Sequence, residues 1–148
     1  MNVIFLDIDG VINLFENHFD KRCCERLLYF IKRHNFHIVL SSSWRICSYD
    51  DYKKMILETC PELLEYDTGM VTPVLFGRVT GLSNRGQEIE SWLNENAEFY
   101  KVKCYLILDD FSVNMMDFTD ESVKSRFVHI DGSKGIQDSD IEKMESMI

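Results

Sequence analysis

The chain has 148 residues, of which 45% are hydrophobic and 28% are charged, and its formal net charge is −9. This length and composition are typical of one globular domain with a buried core, which we place over residues 1–148. The acidic balance argues against broad non-specific binding to nucleic acid or to an anionic membrane, although a local basic groove is compatible with it.

Signals for several other classes of protein are missing from the sequence. No apolar run approaches the length of a membrane span, and no basic segment followed by an apolar one precedes the first strand, so we predict a cytoplasmic protein without a membrane partner. The five cysteines form no CxxC pair, and the four histidines show no ligand spacing. We interpret the cysteines as buried, reduced thiols rather than as a zinc site, and we predict no obligate protein partner.

Strand and helix patterns alternate along the whole chain. In order, they predict a strand over residues 2–7, a helix over 21–34 after the N-cap Asp20, a strand over 36–40, a helix over 49–59 with a capping box at Ser48, a short strand over 74–76, a helix over 85–96, strands over 103–108 and 127–130, and a C-terminal helix capped by Ser139. The alternation is typical of a doubly wound, Rossmann-like α/β fold with three α/β/α layers and a mainly parallel sheet.

Chemically useful side chains follow three of the predicted strands. They are Asp7 and Asp9 after the first strand, Ser41, Ser42 and Ser43 after the second, and Asp109 and Asp110 after the strand over 103–108. Parallel strands end at one edge of the sheet, where open α/β folds bind ligands, and residues two apart on a strand point to the same side. Gly10 permits a sharp turn and a close approach to a ligand. Two carboxylates this close need a cation between them or a shared proton.

These segments resemble the motifs of the haloacid dehalogenase (HAD) superfamily. The first motif is Phe5-Leu6-Asp7-Ile8-Asp9-Gly10-Val11, the second is Val39-Leu40-Ser41-Ser42 and the fourth is Leu106-Ile107-Leu108-Asp109-Asp110. Arg85 begins a predicted helix before the fourth-motif strand, where the third motif places a basic residue. That residue is most often Lys, and Lys101 and Lys103 are the alternatives. With Ser43-Trp44-Arg45 and the run from Arg85 to Leu93, the motifs are similar to a small HAD subfamily that occurs alone and fused to RNA-repair enzymes.

The resemblance implies a phosphatase with a covalent intermediate. Asp7 would attack phosphorus and form an aspartyl-phosphate, while Asp9 would protonate the leaving oxygen and then accept a proton from water. The implied cofactor is Mg²⁺, held by the Asp7 side chain, the Asp9 backbone carbonyl and Asp110, with Asp109 supporting or replacing Asp110.

The resemblance also implies residues that contact the substrate. A serine of the second motif, Ser42 in preference to Ser41, would bind the phosphoryl oxygens together with Arg85. Residues 12–35 and 45–84 are too short for a large cap domain, so we expect an open site of the kind that acts on macromolecular ends, phosphoproteins or nucleotides. The residues expected to line this site and its approach are Gly10, Ser41, Ser43, Trp44, Arg45 and Arg78. Trp44 either stacks on a base or packs beneath the second helix.

Three functional hypotheses remain at this point. The leading one is a Mg²⁺-dependent phosphatase of a nucleic-acid end or a nucleotide. The second is an enzyme with the same chemistry that acts on a phosphoprotein, and the third is a binding or regulatory module that keeps the fold without turnover. All four motif roles are filled, which favours an enzyme over the third hypothesis.

Overall fold

A parallel β-sheet forms the centre of the molecule. The computed structural model describes residues 1–75 and 84–148. Its strands are β1 (Asn2–Leu6), β2 (Phe36–Leu40), β3 (Asp67–Val71), β4 (Cys104–Asp109) and β5 (Phe127–His129). They lie in the order β3-β2-β1-β4-β5, and every neighbouring pair in this described sheet is parallel. The order reverses between β1 and β4, so their carboxyl ends flank the crevice where open α/β sheets bind ligands.

Helices cover both faces of this sheet. They are α1 (Lys21–His34), α2 (Trp44–Cys47), α3 (Tyr49–Thr59), a 3₁₀ helix (Pro61–Tyr66), α4 (Arg85–Asn96), α5 (Glu121–Lys124) and α6 (Asp138–Ser146). Buried side chains of α1, α3 and α6 form one core with one face of the sheet, and those of α4 and α5 form a second core on the other face. The predicted three-layer, doubly wound fold is therefore confirmed, and the described residues contain no cap domain.

The burial of both sheet faces explains the sequence of β1. Val3, Ile4, Phe5 and Leu6 are all fully buried, because alternate side chains enter the two cores and each core excludes water. A strand buried on both faces reads as a continuous apolar run instead of an alternating one. This run fixes the position of the two acids that follow it, Asp7 and Asp9.

The first helix forms as its sequence predicts. The Asp20 side chain accepts a hydrogen bond from the Cys23 backbone N–H, and Asn35 ends the helix in the left-handed conformation with φ 53°. The predicted apolar face of α1, which includes Leu27 and Ile31, is buried against the sheet.

One strand differs from its prediction. The sequence predicts a short strand over 74–76, whereas β3 lies at Asp67–Val71, and residues 72–75 have no regular structure. Position 76 lies outside the described residues. β3 is an edge strand with partly exposed side chains, and the Thr68 hydroxyl donates to the Ile38 carbonyl at 2.8 Å. Its sequence Asp-Thr-Gly-Met-Val lacks an apolar run, so hydrophobic patterning does not reveal it.

Two predicted caps also differ from the structure. Ser48 precedes α3 but makes no side-chain capping hydrogen bond. The C-terminal helix begins at Asp138, two residues earlier than its predicted cap Ser139 allows, and the capping box that forms there joins Gln137 and Asp140. Glutamine is a weak N-cap signal in a sequence, so the box is recognised only from the hydrogen bonds.

Two further findings concern broader properties of the chain. Cys23, Cys24 and Cys60 are buried free thiols, and Cys104 is a free thiol that is partly buried, in agreement with the predicted core role. In residues 1–75 and 84–148, every helix is too short or too polar to cross a membrane.

Candidate active site

Three carboxylates converge at the carboxyl ends of β1 and β4. Asp7 continues the pairing of β1 with β4, because its backbone N–H donates to the Leu108 carbonyl at 3.0 Å. Its side chain thereby meets those of Asp109 and Asp110, and one oxygen of each carboxylate lies within 4.8 Å of the others. Only 3% of Asp7 is exposed. The structure thus brings together three of the four predicted metal-site residues through their side chains.

Arg85 supplies a positive charge to this cluster. It is the first residue of α4, and its Nη1 lies 2.6 Å from Asp109 Oδ2 and 3.3 Å from Asp7 Oδ1. Its guanidinium carbon lies 4.7 Å from the centre of the Phe111 ring, a cation–π distance. Contacts with two carboxylates and an aromatic ring hold the guanidinium in one orientation.

The two alternative cations lie at the other end of the sheet. Lys101 accepts a hydrogen bond from the Met1 amino group, and Lys103 donates its backbone N–H to the Met1 carbonyl. Both residues therefore sit beside the amino ends of β1 and β4. The structure places Arg85 among the carboxylates and the two lysines far from them.

The cluster carries more negative charge than Arg85 balances. Burial, and then repulsion from Asp109, raise the pKa of Asp7 to about 8, although Arg85 and the Ser42 hydroxyl act in the opposite direction. Burial, and then Asp109, also raise the pKa of Asp110. A hard divalent cation with oxygen ligands would offset this repulsion, and the donor set of three carboxylates fits Mg²⁺.

Asp109 is the carboxylate with the fullest set of protein partners. Its Oδ2 contacts Arg85, and its Oδ1 accepts the Phe111 backbone N–H at 2.9 Å. Asp110 is less buried, and one of its oxygens lies within 4.8 Å of an Asp7 oxygen. Asp7 and Asp110 are therefore the better placed of the three to ligate an ion, with Asp109 holding Arg85.

Two glycines make room for Asp110. Gly10 has φ +76°, and a Cβ built on it would lie 2.4 Å from Asp110 Oδ2. A Cβ on Gly132 would lie 2.7 Å from the same oxygen. Position 10 therefore needs a residue without a Cβ for two reasons, the close approach of Asp110 and the positive φ of the turn. Sequence reasoning missed the role of Gly132, for which an Asp-Gly pair after the β5 strand is the available signal.

The serines of the second motif have different surroundings. Ser42 is fully buried, its Oγ accepts the Trp44 backbone N–H at 3.3 Å, and its hydroxyl lies near enough to Asp7 to lower the pKa of that carboxyl. Ser41 is buried as well, but its Oγ has no hydrogen-bond partner within the described parts of the chain. Ser43 is exposed. Of the three, the structure brings Ser42 to Asp7.

The second acid of the first motif lies beside the carboxylate cluster and has its own partners. Asp9 Oδ1 accepts hydrogen bonds from Asn13 Nδ2 at 2.8 Å and from Trp44 Nε1 at 3.0 Å. Its backbone carbonyl accepts no hydrogen bond from residues 1–75 or 84–148. The Trp44 ring packs against Phe19 and its indole N–H donates to Asp9. Asn13 carries no signal in the sequence, because it is a lone amide in an irregular loop.

Arg45 corrects a prediction. Its side chain is 5% exposed, forms an ion pair with Glu88, and donates to the backbone carbonyls of Ser42 and Thr72 at 2.7 and 3.0 Å. The guanidinium thus links α2, α4 and the segment after β3 within the protein instead of lining the approach to the site. Sequence position next to a motif does not reveal on which side of the backbone a long side chain lies. The other predicted arginine of the approach, Arg78, lies outside the described residues.

Comparison with known proteins identifies the family of the chain. The family model for the HAD domain in Swiss Army Knife RNA repair proteins matches residues 3–141, a range that contains every site residue described above. No curated protein and no solved structure gives a significant match. The match spans nearly the whole chain, and the chain therefore belongs to the HAD superfamily, in the family of HAD domains found in Swiss Army Knife RNA repair proteins.

Proposed function

We propose that the protein is a Mg²⁺-dependent phosphomonoesterase that works through an aspartyl-phosphate on Asp7. The observation that carries this proposal is the convergence of Asp7, Asp109 and Asp110 within 4.8 Å around a site that Arg85 also enters. A cluster with these charges is suited to hold a divalent cation and a phosphoryl group side by side.

The metal ligands follow from the donors at this edge of the sheet. The side chains of Asp7 and Asp110 and the backbone carbonyl of Asp9 would hold Mg²⁺, with Asp109 in support. When bound, the ion would offset the negative charge that nucleophile and phosphate bring together.

The side chains around this cluster have separate tasks in the proposed reaction. Arg85 and the Ser42 hydroxyl bind phosphoryl oxygens, which fixes phosphorus in front of Asp7. An Asp7 oxygen attacks phosphorus, and Asp9 gives a proton to the departing oxygen. Asp9 then takes a proton from the water that hydrolyses the aspartyl-phosphate and restores Asp7.

We propose a nucleic-acid end or a nucleotide as the substrate. The matching family is named for RNA repair proteins, and RNA repair requires the removal or exchange of terminal phosphates. The described residues contain no cap domain over the carboxyl edge of the sheet, and a site without a large cap suits the end of a polymer better than a fully enclosed one does. The net charge of −9 favours contacts confined to the end over binding along a strand.

Phosphate release tests the enzyme and its substrate together. Wild-type protein should release phosphate from p-nitrophenyl phosphate only with Mg²⁺, and Asp7→Asn should abolish that release. A panel of 5′- and 3′-phosphorylated oligonucleotides, nucleotides and phosphopeptides then compares substrate classes by kcat/KM. Absence of Mg²⁺- and Asp7-dependent release across the panel would contradict a phosphatase, and preference for phosphopeptides would contradict the proposed substrate.

A further inference from the structure

Two N–H groups converge on one oxygen of the second acid. Asn13 Nδ2 lies 2.8 Å and Trp44 Nε1 lies 3.0 Å from Asp9 Oδ1. Both distances are those of well-formed hydrogen bonds. The donors approach from different parts of the chain, one from the loop after β1 and the other from α2, so the carboxyl is held from two sides.

The indole donor is itself fixed in place. The Trp44 ring packs edge-on against Phe19, with 5.5 Å between ring centroids, and Phe19 is fully buried. The Trp44 backbone N–H donates to Ser42 Oγ, the serine that contacts Asp7. The position of the indole is therefore set by the core on one side and by the second-motif serine on the other.

The amide donor is equally constrained. Asn13 is buried, its backbone N–H donates to the Ile8 carbonyl at 3.0 Å, and its carbonyl accepts from Gly10 at 2.9 Å. Its side-chain oxygen accepts the Phe15 backbone N–H at 3.2 Å. Because that oxygen is occupied, the Asn13 NH₂ group faces Asp9, and the orientation of the amide is defined by its partners.

We propose that Trp44 and Asn13 are positioning residues that hold Asp9 so that Oδ2, and not Oδ1, exchanges protons during catalysis. The inference rests on the proposed phosphatase function. Oδ1 already accepts two N–H bonds, and a proton on it would face both donors and break at least one bond. Oδ2 has no such N–H partner in the described chain.

The proton balance of the two half-reactions follows from this orientation. In the first, the Oδ2–H bond breaks while the bond from phosphorus to the leaving oxygen breaks and a bond from Asp7 to phosphorus forms, so the proton leaves in the product alcohol. In the second, water bonds to phosphorus, the Asp7–phosphorus bond breaks, and a water proton returns to Oδ2. Asp9 ends as it began, and Oδ1 keeps its two hydrogen bonds throughout.

If Trp44 and Asn13 position Asp9, the loss of activity in their variants should depend on the leaving group of the substrate. A purely structural role would lower activity on all substrates alike. An alkoxide leaving group needs a proton as it departs, whereas p-nitrophenolate departs without one. Misplacement of Asp9 therefore slows attack on an alkyl phosphate more than attack on p-nitrophenyl phosphate. The kcat/KM value includes the step in which the leaving group departs, so the ratio of the alkyl to the aryl value isolates the effect.

Trp44→Phe is the variant that tests this inference, because phenylalanine keeps an aromatic ring beside Phe19 and removes the N–H. We expect the ratio of kcat/KM for a phosphorylated oligonucleotide to that for p-nitrophenyl phosphate to fall about tenfold, because the value for the aryl substrate falls less. Asn13→Ala should lower the same ratio. Trp92→Phe is the matched control, because Trp92 packs edge-on against Phe5 on the opposite face of the sheet.

The role of Asp9 as intermediary is tested by a double-mutant cycle. Asp9→Asn should lower the ratio furthest, and adding Trp44→Phe to it should lower the ratio no more. An unchanged ratio in Trp44→Phe and Asn13→Ala, with wild-type activity that depends on Asp7, would overturn the inference and leave the phosphatase in place. A wild-type protein without Asp7-dependent release would overturn both.

Discussion

Asp7→Asn should inactivate the protein and, in the absence of divalent cations, stabilise it. Asparagine keeps the size of the side chain and removes its negative charge. Asp7 is 3% exposed and lies within a cluster that contains two further carboxylates, Asp109 and Asp110. Because burial and repulsion both disfavour the ionised form there, the ionised Asp7 side chain reduces the stability of the metal-free fold.

The size of this effect follows from the pKa of Asp7. Its usual value is 3.8 and its value in the fold is about 8, which corresponds to about 5 kcal/mol at pH 8 and above. The attraction of Arg85 at 3.3 Å is already included in this pKa, but an asparagine accepts hydrogen bonds from Ile8 and Ser42 less strongly than a carboxylate does, which reduces the benefit of the substitution. We therefore expect Asp7→Asn to raise the free energy of unfolding by roughly 2–4 kcal/mol at pH 8.

The contribution of Asp7 to stability changes with pH in a defined direction. Below pH 4 the Asp7 carboxyl is protonated in both the folded and the unfolded chain, so its ionisation does not affect stability. Between pH 4 and 8 the unfolded chain ionises first, and the stability of the wild type falls as the pH rises toward 8. The difference in stability between variant and wild type should thus grow across that window and level off above it.

Urea unfolding in EDTA at a series of pH values measures this difference. Asp109→Asn is the matched control, because it removes one charge from the same cluster but turns an NH₂ group toward Arg85 if its remaining oxygen keeps the Phe111 N–H; we expect it to be no more stable than the wild type. Added Mg²⁺ should stabilise the wild type more than Asp7→Asn. A variant no more stable than the wild type at pH 8, or equal stabilisation by Asp109→Asn, would refute the reasoning.

Two further substitutions test the architecture of the site. Gly10→Ala should weaken Mg²⁺ binding about tenfold or more, as measured by calorimetric titration, because its Cβ would displace Asp110. Gly69→Ala, at a similar φ with open space around it, should cost about 1 kcal/mol in stability and leave Mg²⁺ affinity unchanged; equal losses of affinity would contradict the role given to Gly10. Ser42→Ala should lower kcat/KM for p-nitrophenyl phosphate about 100-fold. Ser41→Ala should keep nearly full activity, because the Ser41 hydroxyl has no partner in the described residues. A larger loss of activity in Ser41→Ala than in Ser42→Ala would contradict the role given to Ser42.

The fold and the location of the site are readable from the sequence because each rests on a strong local pattern. The run from Val3 to Leu6 is apolar because helices cover both faces of the sheet, and the chain must turn polar where the strand leaves the core. The polar residues at the strand ends therefore mark the edge of the sheet where the site lies. β3 escapes the same reasoning because an edge strand needs fewer apolar side chains.

The partners of individual side chains are less readable, because they depend on contacts between distant segments. Arg45 and Trp44 are adjacent in the sequence, yet the first binds Glu88 inside the protein and the second donates to Asp9. Asn13 reaches Asp9 only because its loop folds back on the end of β1. Sequence spacing predicts the direction in which a side chain points on a strand or helix, but it does not predict that direction in an irregular loop.

Acid-quench trapping tests the proposed role of Asp7 as the nucleophile. Wild-type protein is mixed with Mg²⁺ and a phosphorylated oligonucleotide, quenched in acid during turnover, reduced with borohydride to convert phosphoaspartate to homoserine, and digested with trypsin. Mass spectrometry should place the modification at Asp7, within the peptide that ends at Lys21, and Asp7→Asn should carry none. An active wild-type enzyme with an unmodified Asp7, or with the modification at Asp9, would contradict the proposed mechanism.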